Sequence, residues 1–543
     1  MKLPVFLDPL RHQTYRRLWS ATMMSNLGTL VQTVGAGWLM ATLTTSPAMV
    51  SLVQASNSLP IMAFSLIAGA LADNYNRRRI LIFAQMAMVL ASTALAVTAW
   101  TGGLTPWMLL GFTFLVGCGS ALYNPTWQAS MGDIVPRANL HAAVGLNSLS
   151  FNMMRSVGPA LGGMIVAIAG PAVAFVLNAL LTLPLIRALI VWRPDYPRAD
   201  LPPEHVGSAI GAGLRYVMMS PALLRVMLRG AIFGTAAVIT LALLPLVARD
   251  MLQGTAQTYG ILLGVFGLGA IGGGIANTQL ARRLQNESVV RLGFAGYALA
   301  LLGLGFSGSL IVACLSLLLA GASWVLALAL FNVTVQLSTP RWVVGRALSF
   351  YQTATFGGMA LGSWLWGALA EAQGLPTAFA LAAALLGLGG VLGLWLPLPA
   401  FPADELGPLG RFRAPEPMID LKPRSGPIMI MIDHNIAHKD TELFLKLMRE
   451  RRRIRLRDGA RHWTLMRDIE RTEIWIESYH VPTWIDYLRH NARRTLADAE
   501  NSNQLKSLHR STEGEQRVHR LIERQTVPLT DDMPPRSDGP IGM

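Results

Sequence analysis

The residues able to do chemistry fall into three sets. In the first, Gly69 is followed four residues later by Asp73 and then by Arg77, Arg78 and Arg79. A carboxylate at the edge of an apolar segment needs a cation or a helix N-terminus beside it. The expected arrangement has Asp73 facing Arg346 and Asp133 facing the Arg77 to Arg79 run, the alternative being arginines that serve only as topology signals. The second set is Gly145 with Gly158-Pro159 and Gly162-Gly163: small residues permit close helix packing, and a proline without a donor bends its helix. The third set is polar. Arg155 stands in mid-segment, where a charge is costly and faces a cavity or an ion partner rather than lipid. Asn26, Gln32, Gln54, Asn57, Tyr123, Trp127, Gln128, Asn332, Gln336, Tyr351 and Gln352 are further candidates to line such a cavity, each weighed against a plain packing hydrogen bond. No catalytic set is assigned and no cofactor is implied. Cys118 and Cys314 sit in apolar runs and read as small buried hydrophobes, and the histidines give no metal-ligand spacing.

These sets have to be positioned by something other than an ordinary soluble fold. Of 543 residues, 52% are hydrophobic and 14% charged, against about a quarter charged in a soluble chain. A membrane-crossing helix needs ~20 mostly apolar residues. Twelve such runs are expected at 18–43, 49–72, 80–100, 106–127, 140–169, 172–192, 222–248, 258–280, 292–307, 310–336, 347–370 and 377–396. The fold class that follows is an all-α polytopic membrane protein with a small α+β domain after it. The boundaries are 1–192 for a first six-helix half, 193–221 for a loop, 222–396 for a second half, 397–427 for a linker, 428–525 for the α+β domain and 526–543 for a disordered tail.

The formal charge of +14 would suggest nucleic acid in a soluble protein. Residues 1–400 hold 21 Lys+Arg against 9 Asp+Glu, whereas the remainder holds 24 against 22. The surplus lies in alternate loops: Arg77 to Arg79, Arg137, Arg193, Arg198 and Arg215, Arg282, Arg283 and Arg291, Arg341 and Arg346. By the positive-inside rule these loops are cytoplasmic, which places both termini inside and makes the expected partner a lipid bilayer rather than nucleic acid. A shift of 204 residues carries Gly69, Asp73, Arg78 and Arg79 onto Gly273, Asn277, Arg282 and Arg283, and Pro136, Arg137 and Ala143 onto Pro340, Arg341 and Ala347. Such a duplication is what a transporter alternating access around a central site is built from.

In the tail, 428–432, 461–469, 473–481 and 517–524 read as strands, with helices at 440–457 and 484–506. That order is ferredoxin-like. Arg449 to Arg457 reads as a solvated helix face that could also touch anionic lipid.

The Gly69 to Arg79 loop resembles the signature of the major facilitator superfamily, with Asn74 and Asn76 departing from it, which implies that Gly69, Asp73, Arg77, Arg78, Asp133 and Arg346 form a latch closing the cytoplasmic face, and the Gly145 to Gly163 segment resembles the antiporter motif of its exporting branches. With Tyr15-Arg16-Arg17-Leu18-Trp19, Ser25-Asn26-Leu27-Gly28, Gln32-Thr33-Val34 and Val135-Pro136-Arg137, the chain resembles the transmembrane secretion effector branch. The resemblance implies a secondary exporter of a small organic molecule (a siderophore, drug or secondary metabolite) in the inner membrane and not an enzyme. The nearest alternatives are an importer of the same fold, or a membrane-anchored sensor or enzyme acting through the tail. The coupling ion is read as a proton, with no Asp or Glu deep in a span to carry it. The tail resembles dimeric α+β barrel monooxygenases, which makes a dimer through it an expectation.

Overall fold

Each apolar run folds as a helix, because a backbone in hydrocarbon has to satisfy its polar groups internally. In the computed structural model these are α1 (Gln13–Leu43), α2 (Pro47–Asn74), α3 (Arg77–Trp100), α4 (Pro106–Ile134), α5 (Leu140–Ala169) and α6 (Pro171–Val191), then α8 (Pro221–Leu246), α9 (Ala256–Arg283), α10 (Asn286–Phe306), α11 (Leu310–Leu337), α12 (Val344–Gln373) and α13 (Leu375–Leu392). A shorter α7 (Val206–Met218) lies in the segment expected to be loop. The structure describes residues 5–136, 139–193, 206–340, 342–399, 415–419, 421–510 and 516–524, with some residues inside helices, among them Asp73 and Arg155, described in backbone alone. Residues 400–414 and 420 of the expected linker and the whole of the 526–543 tail lie outside these residues.

Helix starts carry the residues that suit them. Ser46, Asn76 and Thr105 each accept a hydrogen bond from a backbone N–H three residues on, filling one of the donors a helix start leaves open. Gly170 and Gly374 have φ of 84° and 86°, a left-handed conformation that costs glycine little, and each joins two helices in a tight turn. Among the described residues nine helices are long and apolar enough to cross a membrane: α2, α3, α4, α6, α8 with the π-helical turn after it, α9, α10, α11 and α13.

The duplication is visible in the helix starts. Pro106 and Leu310, Leu140 and Val344, and Pro171 and Leu375 open corresponding helices 204 residues apart, as do the two turn glycines. The first three helices of each half depart from this spacing. Pro47 and Ala256, and Arg77 and Asn286, are 209 apart. The first helices already open 208 apart, at Gln13 and Pro221, so most of the offset precedes α8 and its π-helical turn, Val247–Met251. The positional counterparts of Asp73 and Arg78 are therefore Arg282 and Glu287, five residues beyond those given by the uniform shift.

The chain divides into two compact units. The first comprises Met1–Ile210, Ala222–Val335 and Leu348–Pro399. Within it α1 packs on α5 and α6, α3 on α4 and α6, α2 on α4, α10 on α13, and α5 on α9. The second comprises Gly211–Pro221, Gln336–Ala347 and Ala400–Met543. It contains a four-stranded antiparallel sheet in the order β2-β3-β1-β4, built from β1 (Ile428–Asn435), β2 (Arg461–Arg467), β3 (Ile474–Val481) and β4 (Val518–Ile522). Ile428, Ile430 and Ile432 alternate inward on β1, opposite Val481, Tyr479 and Glu477 of β3.

Two tail expectations change. The single helix over 484–506 is two, α15 (Trp484–Ala492) and α16 (Leu496–Leu508), because Thr495 starts a new helix with a reciprocal capping box to Asp498. The arginine run on α14 (Thr441–Arg457) is not a uniformly solvated face. Arg451 and Arg455, four residues apart on one side, are buried and hold the buried Glu477, with Nε to carboxylate distances of 3.4 and 3.1 Å. Burial alone would raise the Glu477 carboxyl, but the two guanidiniums hold it well below the usual carboxylate range.

Candidate functional site

The helix bundle has two ends, one where Gly170 and Gly374 turn and one where α3 begins at Arg77. At the Arg77 end, Arg77 Nη1 donates to Asp133 Oδ2 at 2.9 Å and to the Ala129 carbonyl at 3.1 Å, joining the start of α3 to the last turn of α4. Arg78 donates to the Leu189 and Ile190 carbonyls in the last turn of α6, where a cation meets the negative end of the helix dipole. The expected Asp133 contact with the arginine run is thus present. The Asp73 side chain lies outside the described residues, so its pairing with Arg346 is not placed. Gly69 faces α12, with Ser349 Oγ 3.5 Å from where its Cβ would stand.

The other half reaches the same result differently. Glu287, in the position of Arg78, accepts from Arg229 Nη1 at 2.6 Å and from the Leu398 backbone N–H at 2.9 Å. Arg229 is fully buried, lies over the Phe294 and Phe331 rings, and also reaches the Leu396 carbonyl. Sequence reasoning missed this pair; the available signal was an arginine inside the α8 apolar run with no loop nearby to explain it.

At the Gly170 end, several contacts among the described residues join the halves. Gly163 of α5 faces Gly260 of α9: a Cβ on either would stand 2.6 Å from the other's Cα. Glu371, at the end of α12, accepts from Ser46 Oγ at 2.6 Å and from the Ala48 N–H at 3.2 Å, placing a carboxylate at the start of α2. Arg249, in the π-helical turn, donates to the Ala41 and Thr44 carbonyls at the end of α1. Gly158 and Gly162 lie against α1, where their Cβ atoms would come within 2.9 Å of Leu30 and 3.0 Å of Val31. Gly145 lies half-buried on α5 near the Arg77 end. The glycine motif therefore has two faces, one toward α1 and one across to the other half.

The polar candidates separate by environment. Gln32 is buried and accepts from Asn178 Nδ2 at 2.6 Å, and Asn178 also donates to Ser92, so Gln32 is bound into the packing of α1, α3 and α6. Trp127 donates to Asn147 Oδ1 at 3.3 Å and stacks on Tyr123, inside an apolar cluster of the first half. Tyr351 is buried, its hydroxyl reaching the Leu328 carbonyl and its ring lying over Gly230. Asn26, Gln54, Asn57, Gln128, Asn332, Gln336 and Gln352 are half-buried or exposed. Arg155 lies outside the described side chains. Asn178, which ties three helices together, was not singled out by sequence.

The comparisons fit this geometry. The family model described as transmembrane secretion effector matches residues 5–526. The staphyloferrin A transporter of Staphylococcus aureus is 24% identical over 375 residues, 67% of this chain and 91% of the relative. The enterobactin exporter of Citrobacter koseri is 27% identical, covering 66% of this chain and 83% of the relative. Among solved structures, the POT family transporter PepTSo superposes with a TM-score of 0.60 at 13% identity, over 71% of this chain and 97% of that one. That likeness carries the fold alone. The chain is a multi-pass membrane transporter, and it belongs to the transmembrane secretion effector family of the major facilitator superfamily.

Proposed function

We propose that this protein is a secondary exporter of a small organic molecule, with a siderophore as the first class to test, working by alternating access in the inner membrane. Twelve spans cross the bilayer, both termini are cytoplasmic, the Arg77 end faces the cytoplasm, and the tail forms a ferredoxin-like domain there. The orientation follows from the arginine-rich loops at one end. The observation that carries the mechanism is the way the two halves meet at the Gly170 end. The Gly163 to Gly260 contact, the Glu371 carboxylate on α2 and the Arg249 guanidinium on α1 are side-chain or van der Waals ties without a covalent link. Such ties break and re-form as rigid halves rock, and the Arg77 to Asp133 pair holds its own half together meanwhile. The relatives supply the substrate class, and their names set the order of testing.

Arg155 is the cation proposed to meet an anionic group on the cargo, with Asn26, Gln54, Asn57 and Asn332 lining the path and a proton as coupling ion. The test is efflux of radiolabelled ferric-chelating catecholates and hydroxycarboxylates from cells expressing the protein, with uptake into inverted vesicles as the mirror measurement. Concentration inside inverted vesicles supports export. Concentration inside intact cells would reverse the direction and support import. Loss of transport in Arg155→Ala at normal protein level supports the cation's role.

A further inference from the structure

The two halves tie down their Arg77-end loops by different chemistry. In the first half, the segment before α1 touches the loop between α4 and α5: His12 Nε2 is 3.0 Å from Asn139 Nδ2. That loop is also anchored by the Arg77 to Asp133 pair. In the second half, Asn286 holds the position of Arg77 and Leu337 that of Asp133, so this ion pair has no counterpart. Instead, Tyr216 of α7, in the segment before α8, meets Trp342 edge-on with ring centroids 5.7 Å apart.

Both rings are covered by arginines of the C-terminal domain. The Arg493 guanidinium lies 4.3 Å from the Trp342 centroid, and the Arg457 guanidinium 5.5 Å from that of Tyr216. Arg457 is itself fixed by Asp498 at 2.8 Å and Asp458 at 2.9 Å. Arg215, next to Tyr216, places Nη2 3.5 Å from where a Cβ on Gly459 would stand. Residues 211–221 and 336–347 accordingly belong to the same compact unit as the domain. Delocalised, planar guanidinium groups are suited to stacking on aromatic faces.

We infer that the C-terminal domain is a brace for the segments 211–221 and 336–347 of the second six-helix half, its Arg457 and Arg493 gripping the Tyr216–Trp342 pair. Through the chain, the gripped segments lead into α8 and α12. Holding them together makes the loop ends of that half move as one body. The purpose of the brace rests on the rocking mechanism proposed above, whereas the docking itself does not.

Hydrogen exchange on the solubilised full-length protein tests the docking and needs no transported substrate. Arg493→Ala and Trp342→Ala should each speed exchange in 211–221 and 336–347 by about tenfold, while β1 and β3 keep their protection. Arg493→Lys, which retains charge but loses the planar stack, should fall between. Unchanged exchange in both segments in Arg493→Ala and Trp342→Ala would overturn the docking. A wrong direction of transport would overturn the exporter reading and leave the docking result standing.

Discussion

Gly163 and Gly260 face each other across α5 and α9, each occupying the space where the other's side chain would begin. The duplicated position repeats the arrangement: Gly367 of α12, 204 residues after Gly163, lies against Ser51 and Ala48 of α2, and Ser51 is 209 residues before Gly260. Two symmetry-related seams of small residues thus join the halves at the Gly170 end. In lipid, where apolar burial gives no advantage over the tails, such backbone-close packing is a main source of helix association.

Gly163→Ala is expected to open this seam. Its Cβ meets backbone atoms at 2.6 and 2.7 Å, so a helix must shift, at a cost of about 1–3 kcal/mol for overpacking. That corresponds to roughly a tenfold or greater fall in the closed population and a comparable loss of transport. Distance measurements between spin labels at the exposed Ile168 and Ile261 should move to longer separations.

Exchanging the charges of Arg77 and Asp133 tests whether their contact is a pair or two separate topology signals. Their side chains are 25% and 15% exposed, so either single change should cost about 1 kcal/mol. The double exchange should recover most of it. Thermal unfolding of the solubilised protein reads the difference.

Arg229→Met leaves Glu287 in a largely buried site without its cation, a change expected to cost about 3–5 kcal/mol. Combining Arg229→Met with Glu287→Gln should recover a large part, because no uncompensated charge is then left. A double variant as unstable as the single one would mean that Arg229 acts chiefly by capping the Leu396 carbonyl.

The tail should lose stability as pH falls below the ordinary histidine range. Burial and then Arg455 hold His490 well below that range, with Nε2 3.0 Å from the Arg455 guanidinium and Nδ1 3.3 Å from the Asp458 carbonyl. The unfolded chain takes up a proton near pH 6.5 that the folded domain refuses, so stability is full above that pH and declines below it by up to ~1.4 kcal/mol per pH unit. Glu477 behaves as a depressed carboxylate, its contribution present above the unfolded carboxyl range and lost as pH falls through its lowered folded value. Exchange of the β3 amides, corrected for intrinsic rates, should rise steeply between pH 6.5 and 5, and His490→Gln should flatten that rise.

Much of the bundle was legible before any coordinates. Hydrocarbon imposes length and apolarity on each helix separately, so the twelve runs and their helices agree to within a few residues at most ends. Arg77 with Asp133 was legible too, because both sit at ends of neighbouring helices on one side. Arg451 and Arg455 were harder to assign. A run of six arginines over Arg449 to Arg457 looks solvated until Glu477, on a distant strand, is known to face two of them.

By itself the sequence determined the membrane class, the repeated apolar runs, the gathering of arginines in alternate loops and the order of the strands in the tail, since each depends on composition or short-range periodicity. Only the tertiary structure decided which contacts those elements make. It placed Gln32 and Trp127 in packing networks, paired Arg229 with Glu287, set Gly163 against Gly260, and opened the second and third helices of the second half five residues beyond the uniform shift. These depend on residues far apart in the chain meeting at ångström distances, and no local pattern carries that information. The surplus of arginines was written in the sequence; the carbonyls, carboxylates and rings they hold came from the fold.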